Sequence, residues 1–420
     1  MSGVINHPNK LELMCMKTEI LIMGAGTAGL TAAVRLAERG VAALVIERDF
    51  FPGGLGAQLA CKAVDECRKC NACLVGDAAG EFTRAGLEVL TGAKVTGLEP
   101  EGGGYKVRVA REPVFLDSAR CLECGLCLEK CPEAGRALRK SPLGQARPGY
   151  ALDPAYCLHF QGLECRACRD ACPTGAIDLA ARGREEIHEV RGIIAAPGGR
   201  PFDPALKPRL GYGRVPGVVT ALELEQALLR EGGAAGLTRG KSPGRIAFIQ
   251  CVGSRDKSLG RDYCSRICCG YALRLAHRLA GLQPEVKIAM FYMDIQTFGR
   301  GFDRQYQEVK NRVELIHGIP GEILAAEGGS VLVPFLNEAS GRKESREFDL
   351  VTLSQGIQPP DDPVWDLLGF PRDEDGFLKS CPEKGLFAAG TAAGPMDLAE
   401  AKADAEAAAS RLLKHLGRGF

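Results

Sequence analysis

The sequence predicts an α/β protein built from two dinucleotide-type domains, with a smaller, cysteine-rich α+β domain inserted into the first. Three observations carry this reading. A glycine-patterned strand–helix–strand unit opens at residue 19, a second apolar strand at Arg245–Gln250 starts another such unit, and paired four-cysteine runs interrupt the chain between them. With 420 residues and 45% hydrophobic content the chain can bury several cores. The expected pieces are 17–112, 113–182, 183–243, 244–373 and 374–420, of which the first, third and fifth form one domain, the second is the insertion and the fourth is the second dinucleotide-type domain.

In the opening unit, Glu19–Met23 reads as a short apolar strand. Gly24, Gly26 and Gly29 follow, then an Ala/Leu-rich helix to Arg39, then a strand Ala42–Ile46 ending at Glu47. Gly24 permits a tight turn, Gly26 lets the backbone approach a pyrophosphate, and Gly29 lets the helix pack closely on the strand. The phosphates are expected at the helix N-terminus, beside Thr27 and Ala28. Glu47, followed by Arg48, lies 18 residues beyond Gly29, where a carboxylate can accept hydrogen bonds from ribose hydroxyls. A glycine-rich turn without ligand is the plainer alternative, but here the strand, helix and carboxylate all stand in sequence around it.

Two later stretches decide between FAD and NAD as the ligand. Ile193–Gly199 is an apolar strand closing on glycines, with Ala196 and Gly198 at its end, and Gly385–Thr391 is another, followed by an Ala-rich helix through Ala399 to Leu413. Together they resemble the returning strand and terminal segment of two-dinucleotide-domain flavoproteins, whose last helix points its N-terminus toward the flavin. FAD is the expected ligand. Gly54, Val95, Gly390, Thr391, Asp397 and Leu398 complete the expected contacts. Thr391 stands where an Asp is usual, so its contact to the ribityl phosphate would run through the hydroxyl or the backbone.

Sixteen of the 18 cysteines fall into four groups of four, and only Cys15 and Cys381 stand apart. Cys-x-x-Cys repeats are too tight to staple a domain with several disulfides, and no apolar signal segment precedes the first strand, so the reading is metal. Cys121-x2-Cys124-x2-Cys127-x3-Cys131-Pro132 is the bacterial ferredoxin run, and Cys157-x7-Cys165-x2-Cys168-x3-Cys172-Pro173 repeats it with a widened first gap. In such pairs the fourth cysteine of each run reaches across. One cubane (4Fe-4S) cluster is therefore expected on Cys121, Cys124, Cys127 and Cys172, the other on Cys157, Cys165, Cys168 and Cys131. Zinc is the competing reading, but runs ending in Cys-Pro match zinc-ribbon spacing poorly.

The second dinucleotide-type unit lacks its phosphate loop. After the strand Arg245–Gln250 the chain reads Cys251-Val252-Gly253-Ser254-Arg255-Asp256, whose side chains fill the space a pyrophosphate needs. Cys251, Cys264, Cys268 and Cys269 instead offer four thiols at a strand end and a helix start, suited to a buried cluster beside the flavin; one of the adjacent pair Cys268 and Cys269 could instead be a buried thiol. Cys61, Cys67, Cys70 and Cys73, just after Gly53 and Gly54, form a fourth candidate group, in which one ligand could come from elsewhere.

At this point the residues name a family. Ile249–Asp256, Tyr263–Cys269 and Phe291–Phe302 closely resemble the HdrA flavoprotein, the A-subunit of heterodisulfide reductases, and Gly390-Thr391-Ala392-Ala393-Gly394-Pro395 fits it as well. The resemblance covers nearly the whole chain. It implies a thioredoxin-reductase-like core, FAD, an inserted double-cubane ferredoxin and a core cluster on the Cys-x12-Cys-x3-Cys-Cys pattern. The chain closes with its flavin helix near residue 420, so it is expected to lack the C-terminal ferredoxin extension of the long methanogen proteins and to pass electrons out differently. Short relatives occur in quinone-interacting membrane oxidoreductases and in class II benzoyl-CoA reductase complexes; the Cys61–Cys73 group is unlike the former and points to the latter or to another anaerobic complex. Members that bifurcate electrons place a Lys five residues after the paired cysteines. Arg274 stands there, keeping the charge that tunes a reduced flavin but unable to deliver a proton.

The resulting expectation is an oxidoreductase that relays electrons within a complex. Its expected partners are proteins like the B and C subunits of heterodisulfide reductases, ferredoxin, or hydrogenase or NADH modules, with a homodimer of this chain in the assembly. Two rivals stand beside it: a self-contained NAD(P)H-dependent flavin enzyme, disfavoured by the missing phosphate loop, and a zinc-stabilised scaffold. Lys plus Arg (53) balance Asp plus Glu (52), so no global field draws nucleic acid or an anionic membrane, and no apolar run is long enough to span one. A cytoplasmic location is expected, with Met1–Cys15 a dispensable leader ahead of Met16. His159, His188, His277 and His317 read as surface or packed side chains, and Met290 and Met293 as core fillers.

Overall fold

The computed structural model describes residues 15–418 apart from 65, 68, 148, 239 and 297–301. Most of the expected leader, and the Thr297–Gly301 part of the third family-like segment, lie outside the described residues. The first unit runs through β1 (Cys15–Lys17), β2 (Ile20–Met23), α1 (Thr27–Ala37), β3 (Ala43–Ile46), α2 (Leu74–Arg84), β4 (Val89–Leu90), β5 (Ala93–Glu101) and β6 (Gly104–Arg111). Cys15 therefore begins a paired strand rather than ending a leader, because β1 lies parallel to a later strand, Cys15 opposite Ile187.

Between β6 and that strand sits the cysteine-rich insertion, with α3 (Leu126–Lys130), β7 (Leu138–Lys140), β8 (Tyr150–Leu152) and α4 (Ala167–Asp170). Its ends are drawn together by the Leu116–Ile177 bridge. The chain re-enters the first domain through β9 (Arg184–Val190) and β10 (Gly192–Ala195).

The second domain contains β11 (Arg200–Pro201), β12 (Val218–Thr220), α5 (Ala221–Arg230), β13 (Arg245–Val252), α6 (Cys268–Leu282), β14 (Lys287–Tyr292), α7 (Phe302–Lys310) and β15 (Val313–His317). It continues with β16 (Leu324–Ala325), β17 (Val331–Asn337), β18 (Arg342–Phe348), β19 (Leu350–Gln355) and β20 (Ile357–Gln358). The chain then returns through α8 (Val364–Leu367), β21 (Leu386–Ala388) and α9 (Leu398–His415).

Two five-stranded parallel sheets organise the molecule, in the orders β21-β10-β2-β3-β4 and β12-β19-β13-β14-β15. Their inner strands β2, β10 and β19 are buried on both faces, as the continuous apolar runs of β2 and β10 require. On the first sheet one face is closed by α1, α2 and α9. Ala405, Ala408 and Ala409 are fully buried there, since only small side chains let the last helix lie close on α1. The other face packs on the sheet β1-β9-β6-β5 through Leu21, Ile193, Val107 and Val109.

Two boundaries differ from the expected division. β12 and α5, expected in 183–243 with the flavin domain, belong to the second sheet, because Val218–Thr220 pairs parallel with Val351–Leu353. Conversely α8, expected in 244–373, returns to the first domain, where Trp365 and Phe370 join the core of Leu21 and Ile193. Hydrophobic burial decides both: a short strand or helix joins whichever apolar face it can cover.

Candidate functional site

Apart from Val95, the expected flavin contacts gather where the parallel strands β2, β3, β10 and β21 end, the edge at which open α/β sheets bind ligands. Each glycine of the first loop has a separate reason to be one. Gly24 has φ +103°, and a Cβ on it would lie 2.3 Å from the Ala196 carbonyl oxygen; on Gly29 it would lie 1.8 Å from the Gly24 oxygen. Gly26 is different, since nothing stands within 4 Å of where its Cβ would be. Gly26 is also the N-cap of α1 and supplies no side-chain cap, which leaves that helix end open to an anion. Thr27 Oγ1, beside it, is buried with no protein partner among the described residues. An open backbone at an uncapped helix N-terminus with an unpartnered hydroxyl next to it fits a dinucleotide's phosphates.

The surrounding residues brace this loop. Glu47 is buried, and its two carboxylate oxygens accept the Ala25 N–H at 2.8 Å and the Asp49 N–H at 3.0 Å. Burial raises its pKa, against those two hydrogen bonds, which lower it. Its first duty is therefore to the loop itself, while Arg48 beyond it is exposed. Gly54 has φ +53° and packs over Gly26, and the Gly53 N–H donates to the Ala25 carbonyl at 2.7 Å. Ala196, after β10, donates its N–H to Met23 at 2.8 Å, and the Thr391 hydroxyl accepts the Gly199 N–H at 2.6 Å, just past Gly198. Thr391 thus ties two strand ends together through its hydroxyl, one of the two groups, hydroxyl or backbone, expected to reach the ligand. Gly390 cannot bear a side chain, because a Cβ there would lie 2.7 Å from that of Ala28. Asp397 caps α9 by accepting the Glu400 N–H at 2.8 Å, and Leu398 packs toward Gly56. Val95 lies in the apolar layer with Val107 and Val109.

In the insertion the two cysteine runs cross. One hollow is lined by Cys121, Cys124, Cys127 and Cys172, the other by Cys131, Cys157, Cys165 and Cys168. The widened gap before Cys165 forms a surface turn, closed by the Leu163 N–H donating to Leu158 at 3.0 Å, and still leaves Cys157 in the second hollow. Burial pushes the thiols of Cys127 and Cys131 up and that of Cys168 to about 11. At Cys172 burial also raises the pKa, but hydrogen bonds from Thr174 and the Ala176 N–H outweigh it. Burial of Cys127, Cys131 and Cys168 favours their neutral form until a cation stands among them, which suits iron–sulfur ligation. Among the described residues no three His, Cys, Asp or Glu side chains close on a single ion.

A third quartet occupies the end of β13. Cys251, with φ +58°, Cys264, and the buried pair Cys268 and Cys269 at the start of α6 lie within one another's electrostatic reach. Burial pushes the Cys251 thiol to about 12 and that of Cys268 well above its ordinary value. The neighbouring Gly253 has φ +75°, and a Cβ on it would lie 2.0 Å from the ring of Phe202, which is fully buried. Phe202 thus plugs the space over the loop where a second dinucleotide would place its phosphates. It lies 51 positions earlier in the chain than Gly253, so no local signal revealed it.

In the fourth group Cys73 has Cys70 and Cys67 among its charged neighbours, while Cys61, Cys67 and Cys73 are exposed. Arg274 lies between this group and α9: burial lowers its pKa, and Cys70 and Asp397 act against that. Its Nε donates to Gln305 at 3.1 Å. Arg266 joins the Cys264 loop to the flavin helix, donating to Glu400 at 2.7 Å. Of the histidines, His188 is buried against Glu186 and His317 lies 3.0 Å from Glu338. Met290 is a buried core residue.

Comparison with known proteins places these features. Residues 120–176 match a 4Fe-4S dicluster domain, and residues 22–62 an NAD(P)-binding Rossmann-like domain. In fold the chain is similar to the thioredoxin reductase of T. acidophilum (TM-score 0.55, 15% identity, 95% of this chain and 98% of that one). It is similarly related to that of Lactococcus lactis (TM-score 0.54, 17% identity, 96% of this chain and 100% of that one). In sequence it is 33% identical to the iron-sulfur A-subunit of the CoB–CoM heterodisulfide reductase of Methanocaldococcus jannaschii, over 100% of this chain and 68% of that protein. It is 31% identical to the A-subunit of the H2:CoB-CoM heterodisulfide,ferredoxin reductase of Methanothermobacter marburgensis, over 96% of this chain and 65% of that protein. The chain thus spans about two thirds of the length of these relatives. With that identity along its whole length, a thioredoxin-reductase-like fold and a dicluster insertion, the chain belongs to the HdrA family, the A-subunits of heterodisulfide reductases.

Proposed function

We propose that this chain is an FAD- and 4Fe-4S-dependent oxidoreductase subunit that relays electrons within an anaerobic, cytoplasmic complex of the heterodisulfide reductase type. The observation that carries the reading is the crossed pair of cysteine quartets, joined by a third quartet standing where a dinucleotide domain would hold its phosphate loop. Bound in these places, FAD supplies two-electron exchange and the clusters supply one-electron exchange. The chain's own part is to position them. Gly26 and the N-terminus of α1 receive phosphates, Cys131 and Cys172 cross-link the two halves of the insertion, and Arg266 holds the Cys264 loop against α9.

Arg274 keeps a fixed positive charge near Cys70 and Asp397. As a permanently protonated group it adjusts potential and does not pass protons, which is compatible with splitting or merging electron pairs. The relatives' names, as A-subunits of heterodisulfide reductases, support partnership with other redox subunits; in this reading those are B- and C-like subunits, ferredoxin, or hydrogenase or NADH modules, with two copies of this chain in the assembly.

A self-contained NAD(P)H-dependent enzyme is the rival, and the ring of Phe202 over Gly253 speaks against it. Purified anaerobically and mixed with NADH or NADPH without partners, the protein is expected to keep its flavin absorbance, whereas a low-potential one-electron donor bleaches it. Rapid bleaching by NAD(P)H alone would overturn the proposal.

A further inference from the structure

The segment carrying Cys61 is fastened to the second domain by a device that the electron-relay reading does not use. Lys62 and Glu225 of α5 form an ion pair at 2.5 Å, with side chains only 3% exposed. Both are otherwise committed to the same short stretch: Lys62 donates to the Ala60 carbonyl at 2.7 Å, and Glu225 accepts the Ala60 N–H at 3.0 Å. On either side lie further ties, Gln226 donating to Gln58 at 2.7 Å and Arg278 of α6 donating to the Ala63 carbonyl at 2.9 Å. Val64 packs so closely on Gly281 of α6 that a Cβ there would lie 2.8 Å from its methyl groups.

The other end of the segment belongs to the first domain. Cys73 is the N-cap of α2, whose Val75, Ala78 and Phe82 lie in the core with α1. Cys73 has Cys70 and Cys67 among its neighbours there, and Arg274, midway along α6, has Cys70 within its electrostatic reach. A buried ion pair is a poor stabiliser compared with well-packed apolar side chains, because desolvation offsets its attraction. What it supplies is direction, since each charge accepts only a partner in one place.

Resting on the reading of Cys61, Cys67, Cys70 and Cys73 as a cluster site, we infer that Lys62 and Glu225 are a positioning pair that brings Cys61 from the second domain to the other three thiols. The centre is then assembled across the boundary between the two dinucleotide-type domains, and its integrity reports on how they are docked. Neither residue touches the cluster, and both act through the backbone of residues 60–63.

The test uses the full chain purified anaerobically, comparing Glu225→Gln, Lys62→Met, the conservative Lys62→Arg and the apolar double variant Lys62→Met/Glu225→Met. The double variant leaves no lone buried charge and so separates folding from positioning. Glu225→Gln, Lys62→Met and the double variant are expected to lose about four irons and the paramagnetic resonance signal of one cluster, keeping FAD and the signals of the insertion, while Lys62→Arg keeps both. Should the single variants fail to yield folded protein, the double variant decides. Full wild-type iron and an unchanged spectrum in the double variant would overturn the inference while leaving the cluster reading intact. Iron content unchanged between the wild type and Cys67→Ser would overturn the cluster reading, and the inference with it.

Discussion

At the scale of single residues, the glycines of the first loop were legible in the sequence because their roles are backbone geometry, and the structure separates those roles. Gly29→Ala puts a methyl 1.8 Å from a backbone oxygen that cannot move aside, so a loss of about 3 kcal/mol or more is expected in denaturant titration of the apoprotein. Gly26→Ala meets no protein atom. It is expected to leave apoprotein stability within about 1 kcal/mol while lowering FAD occupancy at least tenfold, measured by flavin released per chain. Glu47 was legible as a carboxylate in the right place, but not in its bond to the Ala25 N–H, which depends on how two strand ends meet.

Asp256 gives a pH test. The hydrogen bond from Lys207 Nζ at 2.6 Å, with a further one from Ser258, holds its pKa below 3.8. A depressed carboxyl pKa adds stability that is present above the unfolded value and lost as pH falls through the folded one. Asp256→Asn should therefore cost about 1–2 kcal/mol near neutral pH, and the gap to the wild type should close as the pH drops below 3.8, read from apoprotein denaturation midpoints.

At the scale of elements, apolar runs such as β2 and β10 and the cysteine spacings carried the reading well, since both follow from local chain geometry. The crossing of the two runs makes a specific prediction. Cys172→Ser should abolish the resonance signal of the cluster next to Cys121–Cys127, and Cys131→Ser that of the other, each removing about four irons. The misplaced elements, β12 with α5 and then α8, failed for one reason: a short amphipathic piece announces that it has an apolar face but not which sheet that face will cover. α5 did carry a local signal, the capping box of Thr220 and Glu223, which marks where a helix starts but not where it docks. Asp397, expected as a flavin contact, is also the N-cap of α9, and Asp397→Ala should lower apoprotein stability by about 1 kcal/mol.

At the scale of the whole molecule, the thioredoxin-reductase-like arrangement and the insertion were legible because glycine loops and cysteine runs punctuate the chain in order. The contacts that join the domains were not. Phe202 over Gly253, Arg266 on Glu400 and Lys62 on Glu225 link residues 51, 134 and 163 positions apart, and nothing local marks a lysine beside a cysteine as buried. Of these contacts, Phe202 over Gly253 fills the loop of the second dinucleotide-type unit, beside the thiols of Cys251, Cys264, Cys268 and Cys269 that the proposed relay reads as a cluster site. The most direct test of that relay is the iron, zinc and flavin content of anaerobically purified protein, followed through a reductive titration by paramagnetic resonance. About sixteen irons and one FAD per chain are expected, with several distinct one-electron signals; zinc in place of iron, or a protein without flavin, would contradict it.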